Sequence, residues 1–359
     1  MYKQGLIFEI GDHKITANAS PFCIAEVGIN HNGSLERAKE MVNVAKQAGA
    51  DAVKFQTFDS DQLCGDPEQM FTYQSQGQEI TEPMLDMFRR NELGREEWYE
   101  IKAHCAKVGI TFFSTPQNVS DLELLSQVGV DTVKVGSDDL SNLPLLREYA
   151  SFGLPMILSC GMADMADVHA ALIATGWYTG APVSMLLCTS QYPTPPQDVN
   201  IRKLDTLTSA FPGLIVGFSD HTQGALAAAM AVAKGAVIFE KHFTLSHDLA
   251  GPDHWFSCNP EELTAWVQTI RQAHQQLGSP HIMPTHEERN MRILARRSVV
   301  AIKDIEKGEI FTTDNVAVRR PGIGLSPELF DNIVGQYATR RITLGTPLDF
   351  KDVGGHGTE

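Results

Sequence analysis

The 359-residue sequence has no apolar run long enough to cross a bilayer, no Cys-X-X-Cys pair and no block of five like charges. Its longest apolar stretch, at residues 225–233, is short and rich in alanine. The N-terminal residues also lack the apolar core of a signal peptide. These absences predict a cytoplasmic protein without a membrane partner.

Basic residues are scarce, and the cysteines show no pairing pattern. Lys and Arg number 29 against 44 Asp and Glu, which gives a net charge of −15. Nucleic acids and anionic membranes bind clustered cations, so this charge argues against both as partners. The six cysteines are scattered along the chain, which favours buried free thiols over disulfides or a zinc site.

What the sequence does have is a repeated alternation of short, β-branched apolar runs with helix-length segments. Runs in which apolar residues do not alternate with polar ones are typical of strands buried on both faces, as in a parallel sheet covered by helices. Eight such units predict an α/β fold, a (β/α)8 TIM barrel with its chemistry at the C-terminal strand ends. The eight runs lie at residues 23–28, 51–56, 110–115, 131–137, 155–161, 183–190, 214–221 and 236–242.

The chain is longer than one barrel needs, since a barrel takes about 250 residues. We predict a barrel domain over residues 1–277, with a β-hairpin at 1–20, then a linker at 278–290 and a small β-rich domain at 291–359. A domain this small is expected to dock on another surface. Residues 57–94 form a polar insertion with a short helical pattern, which either covers the active site or has only a structural role.

Two histidines end neighbouring strands. His221 ends the seventh run and His242 the eighth, and adjacent parallel strands lie about 4.8 Å apart. Both imidazoles can therefore point into the barrel mouth and bind Mn²⁺, Fe²⁺ or Zn²⁺, with open positions for water and substrate. Asp220 and Glu240 are expected to orient the two ligands. Lys241 should point away from the barrel interior, because side chains alternate along a strand.

A second group of strand ends predicts an anion site. Two ammonium groups and a ring of hydroxyls suit a phosphate or carboxyphosphate ligand. Two alternatives remain open: the lysines could pair with Glu26, Asp138 or Asp139, or one of them could form a Schiff base as in barrel aldolases. The residues concerned are Lys54, Thr115, Lys134, Ser137, Ser159 and Ser219.

Glu26 ends the first run and precedes a polar loop at residues 28–33 that begins and ends with glycine. A carboxylate in this place could donate or accept a proton beside the substrate. The loop itself could equally be only the turn into the first helix.

These motifs, taken together, resemble the sialic acid synthase family, which includes N-acetylneuraminate, legionaminate and pseudaminate synthases. Each block alone is weakly specific, but their occurrence in order along nearly the whole chain is highly specific. The C-terminal residues 291–353 resemble the antifreeze-like (SAF) domain of these enzymes, with RRPG at 319–322 as its arginine motif. The barrel blocks are AEVGINHNG (25–33), VKFQT (53–57), STP (114–116), KVGS (134–137), ILSCGM (157–162), CTSQYPTP (188–195), GFSDHT (217–222), EKHFT (240–244) and GPD (251–253).

The resemblance implies condensation of phosphoenolpyruvate with the open-chain aldehyde of an N-acylated mannosamine-type sugar, giving a nine-carbon 2-keto acid and phosphate. The anion-site residues would hold phosphoenolpyruvate. His221 and His242 would hold a divalent metal, usually Mn²⁺ in the family, with Mg²⁺ or Co²⁺ as alternatives, and Glu26 would assist the addition of water. The chain would form a homodimer in which the small domain of one subunit covers the partner's barrel. The sugar would contact Gln56, Tyr192, Asp253 and, from the neighbouring subunit, Arg320.

The sequence departs from the sialate members of the family only near the expected sugar. After KVGS those members carry Gly-Glu, whereas this chain has Asp138 and Asp139, and Ser190 replaces an asparagine two residues before Tyr192. We therefore add Asp139 and Ser190 to the expected sugar contacts. The sugar stays open between N-acetylmannosamine and a 2,4-diacetamido-6-deoxy sugar. A Schiff-base pyruvate aldolase and a non-catalytic sugar-binding barrel remain the alternative functions.

Overall fold

A computed structural model describes residues 8–355 of the chain. The chain forms two compact units that divide after Gly278. We had placed the end of the barrel domain at residue 277, followed by a linker to residue 290. A helix begins inside that segment, at His286, where Thr285 caps it by accepting a hydrogen bond from the backbone N–H of Glu288.

The first unit contains a closed barrel of eight parallel strands, which confirms the predicted TIM-barrel fold. Around the barrel the strand order is β10-β11-β12-β3-β4-β7-β8-β9, so each barrel strand pairs with the preceding and following barrel strands of the chain. The strands of this unit are β1 (Phe8–Ile10), β2 (His13–Ile15), β3 (Phe22–Gly28), β4 (Ala52–Thr57), β5 (Met70–Ser75), β6 (Gln78–Pro83), β7 (Thr111–Pro116), β8 (Val133–Val135), β9 (Met156–Ser159), β10 (Val183–Cys188), β11 (Ile215–Ser219) and β12 (Ile238–His242).

Helices follow the barrel strands, as the alternation of apolar runs with helix-length segments predicts. Over residues 8–355, no helix is both long enough and apolar enough to span a membrane. The helices are α1 (Leu35–Gln47), α2 (Ser60–Leu63), α3 (Met84–Asn91), α4 (Arg95–Val108), α5 (Val119–Val128), α6 (Leu143–Ser151), α7 (Met165–Ala174), α8 (Lys203–Ala210), α9 (Leu226–Ala233) and α10 (Pro260–Leu277).

The barrel strands are buried on both faces, which explains why apolar and polar residues do not alternate along them. One apolar cluster fills the space between the strands and the helices, and a second lies inside the barrel near the strand starts. Phe8, Ile10 and Ile15 of the β1–β2 hairpin belong to the second cluster. The hairpin therefore closes the end of the barrel opposite the strand ends that carry the polar residues. Residues 1–7 of the predicted hairpin lie outside the described residues.

The insertion at residues 57–94 differs from the polar, partly helical segment predicted for it. It contains an antiparallel hairpin, β5 with β6, between the short helices α2 and α3. The hairpin tip is tied to the loop after β12, since Gln76 Nε2 donates to the carbonyl of Asp248 at 2.7 Å and the Gly251 N–H donates to Ser75 Oγ at 3.1 Å. The insertion thus forms a β-structured wall beside the barrel mouth.

The second unit is small and rich in short strands around its own core, as predicted. Ile305, Phe311, Ile342 and Leu348 are fully buried in that core. Gly308 and Gly345 share the same left-handed backbone conformation, each with a φ of +83°. Ile342 pairs with Ile305 in an isolated bridge. Its elements are α11 (His286–Ala295), β13 (Ser298–Ala301), β14 (Val316–Arg319), α12 (Phe330–Ile333), β15 (Tyr337–Ala338) and β16 (Val353–Gly354).

Candidate active site

The C-terminal strand ends surround a cavity of about 320 Å³, here called the inner cavity. Every residue that we predicted for catalysis, for the anion and for the metal lines it. Barrel closure produces this convergence, because it brings the ends of all eight parallel strands to one rim. These residues are Glu26, Lys54, Thr115, Lys134, Ser137, Ser159, Ser219, His221 and His242.

Two buried lysines form the floor of the inner cavity. Lys54 is 3 % exposed and donates to Thr115 Oγ1 at 2.8 Å, while Lys134 is 2 % exposed and donates to Ser159 Oγ at 2.7 Å. Each ammonium group is thus held by a hydroxyl from the next strand. Lys54 also lies 2.8 Å from Glu26 Oε2, so the alternative of an ion pair with Glu26 is realised for this lysine.

Glu240 accompanies the two lysines and does not orient His242, contrary to our expectation. Its Oε1 accepts a hydrogen bond from Ser219 Oγ at 3.0 Å, and its carboxylate oxygens lie 3.9 Å from Lys54 and from Lys134. Burial acts to raise the pKa of Glu240, but Lys134 and Lys54 together hold it below its usual value. Glu240 is therefore a charged carboxylate that partly balances both ammonium groups.

Burial has different outcomes for the other ionisable groups of the floor. It raises the pKa of Glu26 to about 7, even though Lys54 opposes that change. Burial also lowers the pKa of Lys134. For Lys54 burial acts in the same direction, but the carboxylates of Glu26 and Glu240 outweigh it and the pKa is raised. Glu26 can thus exchange a proton near neutral pH, whereas Lys54 keeps its charge.

The two histidines are neighbours at the rim, with ring centroids 5.4 Å apart. His221 Nδ1 lies 2.8 Å from the carbonyl oxygen of Thr189. A carbonyl can only accept, so Nδ1 carries a hydrogen, and in the neutral ring Nε2 keeps its lone pair. His242 Nδ1 is buried without a hydrogen-bond partner, 3.7 Å from Asp253 Oδ2. Burial and the neighbouring His221 hold the pKa of His242 well below its usual value, so this imidazole is neutral.

Asp220 does not orient His221, which corrects our prediction. Its carboxylate accepts from Trp266 Nε1 at 2.9 Å and lies 3.1 Å from Lys241, behind the strands. The ring of His221 is oriented by the backbone carbonyl of Thr189 instead. Sequence reasoning missed this contact because a backbone carbonyl carries no residue-type signal.

A second cavity of about 610 Å³ adjoins the inner one and is here called the outer cavity. Gln56, Tyr192 and His242 line both, and Asp253 lines the outer cavity. Ser190 lines the inner cavity. Four of the predicted sugar contacts thus lie in or between two adjoining spaces.

The remaining two predicted sugar contacts lie elsewhere. Asp139 is absent from both linings, and its Oδ1 accepts from Asn142 Nδ2 at 3.1 Å at the start of α6. Its neighbour Asp138 lines both cavities instead. The carboxylate of Asp138 lies against Gly136, and any side chain at position 136 would collide with it. Arg320 belongs to the second unit, where its Nε donates to the carbonyl of Ala295 at 2.8 Å.

Comparison with known proteins now adds to this geometry. The model of the NeuB family matches residues 41–281, and that of the SAF domain matches residues 296–354. The chain belongs to the NeuB family. The N,N'-diacetyllegionaminic acid synthase of Legionella pneumophila is 40 % identical over 331 residues, covering 91 % of this chain and 93 % of that protein. Human N-acetylneuraminate-9-phosphate synthase is 34 % identical over 322 residues, covering 88 % of each chain.

A solved structure of a related enzyme is similar to this chain in sequence and in fold. The N-acetylneuraminic acid synthetase of Leptospira borgpetersenii, crystallised with citrate, is 32 % identical with a TM-score of 0.71, over 79 % of this chain and 94 % of that one. The family resemblance inferred from the motifs is confirmed. So is the prediction of an enzyme, because the relatives are sugar-acid synthases. These relatives argue against a non-catalytic sugar-binding barrel.

The sequence analysis did not identify the residues that form two walls of the outer cavity in this NeuB-family enzyme. One comes from the β5–β6 hairpin, with Phe71 and Glu79, and the other from the loop after β12, with Trp255 and Phe256. The hairpin had a signal, since Phe71, Tyr73 and Ile80 alternate with polar residues around the Gln76-Gly77 turn. The aromatic pair directly follows the GPD block that we had singled out.

Proposed function

We propose that this protein condenses phosphoenolpyruvate with the open-chain aldehyde of an N-acylated mannosamine-type sugar, giving a nine-carbon 2-keto sugar acid and phosphate. One observation carries the proposal: two buried, hydroxyl-bound lysines lie in the same cavity as two adjacent histidines. The names of the relatives support an acid product of the sialic or legionaminic type.

The inner cavity fits phosphoenolpyruvate by charge and by hydrogen bonding. Lys54 and Lys134 supply two positive charges, and Thr115, Ser137, Ser159 and Ser219 supply hydroxyl donors. Glu26 and Glu240 lie beside the lysines and offset their charge. Two buried ammonium groups with a ring of hydroxyl donors still favour a small polyanion, because charge-assisted hydrogen bonds are strong where water is excluded.

The histidine pair fits a divalent metal. In its neutral form His221 would present Nε2 to a metal, because its Nδ1 hydrogen is donated to the carbonyl of Thr189, the usual arrangement of a metal-binding histidine. His242 is neutral and has a buried nitrogen without a partner. Among residues 8–355 no group of three or more His, Cys, Asp or Glu side chains is placed to hold a metal ion, so the proposed site rests on the two imidazoles alone. When bound, the metal, Mn²⁺ by our proposal, would polarise the aldehyde oxygen as a Lewis acid.

The protein residues then account for orientation and for proton transfer. Lys54 and Lys134 would hold phosphoenolpyruvate so that its C3 attacks the aldehyde carbon, whose oxygen takes up a proton. Water adds at C2, and the tetrahedral intermediate breaks its C2–O bond to release phosphate. Glu26 has a pKa near 7 and lies beside Lys54, so it can accept the proton that the water loses.

Lys134 gives one specific reason to keep the Schiff-base aldolase as a second candidate. Burial lowers its pKa, and a lysine nucleophile needs a lowered pKa. Borohydride reduction in the presence of pyruvate decides the point. A covalent pyruvyl adduct on Lys134 would establish the aldolase, and an unmodified chain supports the metal-dependent synthase.

We further propose a homodimer in which Arg320 of each subunit contacts the sugar in its partner's barrel. The support is the family membership and the placement of Arg320 in the SAF unit, outside the barrel that carries the other proposed sugar contacts. Phosphoenolpyruvate and the amino sugar would be its small-molecule partners.

The test incubates the protein with Mn²⁺, phosphoenolpyruvate labelled with ¹⁸O at its bridging oxygen, and a panel of N-acylated sugars. The proposal expects phosphate release that depends on the sugar, with the label in phosphate because the C2–O bond breaks. Absence of phosphate release with every sugar contradicts the synthase, and retention of the label in the keto acid contradicts C–O cleavage.

A further inference from the structure

The polar loop at residues 28–33, which has no part in the proposed mechanism, reaches across the barrel mouth to the loop after β12. Asn30 Nδ2 donates to the carbonyl of Phe243 at 2.9 Å and to Ser257 Oγ at 3.0 Å, and both hydrogen bonds are buried. Ser257 Oγ in turn donates to the carbonyl of Asp253 at 2.6 Å. Asn30 is therefore linked through one hydroxyl to the backbone of a proposed sugar contact.

His254 makes a second connection between the two loops. Its Nε2 lies 3.0 Å from Asn32 Oδ1, and its Nδ1 lies 2.7 Å from Thr244 Oγ1. Asn32 Nδ2 donates to the carbonyl of Ala250 at 2.6 Å, so the amide oxygen of Asn32 faces the imidazole and Nε2 must be the donor. Burial lowers the pKa of His254 to about 4, so the ring is neutral and Nδ1 accepts from the Thr244 hydroxyl. Both nitrogens of this buried ring thus have partners.

These contacts surround Asp253, which directly precedes His254 in the chain. Asp253 Oδ2 lies 3.7 Å from His242 Nδ1, at the rim where the aldehyde is proposed to bind. Gly28 begins the polar loop with a φ of +53°, and a Cβ atom added there would lie 3.8 Å from Asp253 Oδ2 and 3.3 Å from Glu26 Oε1. The backbone of the polar loop therefore passes directly beside both carboxylates.

We propose that the carboxylate of Asp253 is held in place to bind the sugar by three positioning residues, Asn30, Asn32 and His254. The inference rests on the proposed synthase function, in which Asp253 contacts the sugar. Residues 243–259 contain no helix or strand, so side-chain hydrogen bonds must hold this loop where a backbone ladder does not. A small displacement of a substrate-binding group is enough to weaken its contact.

The test measures the KM for phosphoenolpyruvate and for the most active sugar of the panel in Asn32→Gly. Glycine accepts the φ of +49° at this position, and the change removes both hydrogen bonds of the Asn32 amide. The sugar KM should rise by ~5- to 30-fold, the scale of one or two hydrogen bonds, while the KM for phosphoenolpyruvate stays constant. Asn30→Ala and His254→Ala should give the same pattern. His254→Gln should keep most of the native sugar binding, because its amide can still donate to Asn32.

His104→Ala is the matched control, because it also removes a hydrogen bond between a histidine and an asparagine. His104 Nε2 lies 2.9 Å from Asn43 Oδ1 between α4 and α1, and neither residue lines a cavity of the barrel mouth. Both KM values should therefore stay native in this variant.

A second background separates positioning from general damage to the fold. In Asp253→Asn, the further change Asn32→Gly should alter the sugar KM by less than ~2-fold, because the carboxylate that Asn32 helps to position is already gone. The same fold-rise in both backgrounds overturns the inference and leaves the synthase standing, as does an equal rise in the KM for phosphoenolpyruvate. If the native enzyme releases phosphate with no sugar, the synthase function and the inference fall together.

Discussion

Charge balance in the inner cavity depends on two carboxylates whose neighbours set their protonation. Glu240 stays charged because Lys134 and Lys54 outweigh its burial, whereas Glu26 has a pKa of about 7 because burial, with the nearby Glu240, outweighs Lys54 and Lys134. Two carboxylates within reach of the same lysine thus take different roles. The sequence places both carboxylates at strand ends. It does not show which of them stays charged, because that depends on their distances from the two lysines.

The metal assignment leads to a prediction for His242. Replacing His242 with Ala removes one of two neutral imidazoles, so Mn²⁺ affinity should fall and turnover should drop by at least ~100-fold, the scale of lost electrophilic assistance. Calorimetric Mn²⁺ titration and phosphate release measure the two effects, and circular dichroism verifies the fold. His247→Ala is the control, since its side chain is 41 % exposed and lines neither cavity. Native Mn²⁺ affinity in His242→Ala would refute the assignment.

The β5–β6 hairpin shows how an element outside the barrel completes the site. It carries Phe71 and Glu79 to the outer cavity, and two hydrogen bonds, from Gln76 and to Ser75, tie its tip to the loop after β12. We predicted a covering segment but not its strands, because the many Gln and Glu residues of β5 and β6 obscured the alternation. In the barrel the pattern is clear, because each apolar run predicts a strand and the segment after it predicts a helix.

Releasing the hairpin tip tests whether its position matters for the sugar. The double variant Ser75→Ala, Gln76→Gly removes both tethers, and glycine accepts the φ of +52° that Gln76 adopts. Each hydrogen bond contributes about 1 kcal/mol, so the sugar KM should rise by up to ~30-fold while the KM for phosphoenolpyruvate stays constant. Hydrogen exchange should accelerate over residues 70–83.

Met70→Ala provides the control for the hairpin, because Met70 is 54 % exposed and lines neither cavity. An unchanged sugar KM in the double variant, together with faster exchange, would show that the tethers hold the hairpin without serving the substrate.

At the scale of the whole molecule, the sequence predicts the site residues of the barrel better than those of the second unit. The barrel places residues from all eight of its strands on one rim, so motif order along the chain was enough to predict the inner cavity. The choice between Asp138 and Asp139 was missed because neighbouring loop residues differ only in side-chain direction. Arg320 is a different case, because the sugar contact proposed for it lies in the second unit and not in the barrel.

A dimer that shares Arg320 predicts complementation between two defective chains. An Arg320→Ala subunit keeps an intact barrel, and a His242→Ala subunit keeps an intact Arg320, so a mixed dimer contains one complete site. Random assortment makes about half of all dimers mixed, and co-expression of the two variants should restore about a quarter of native phosphate release. His242→Ala with Lys54→Ala is the control, because both changes lie in the barrel. Activity of the first pair no higher than that of its two parents would show that Arg320 acts within its own subunit or not at all.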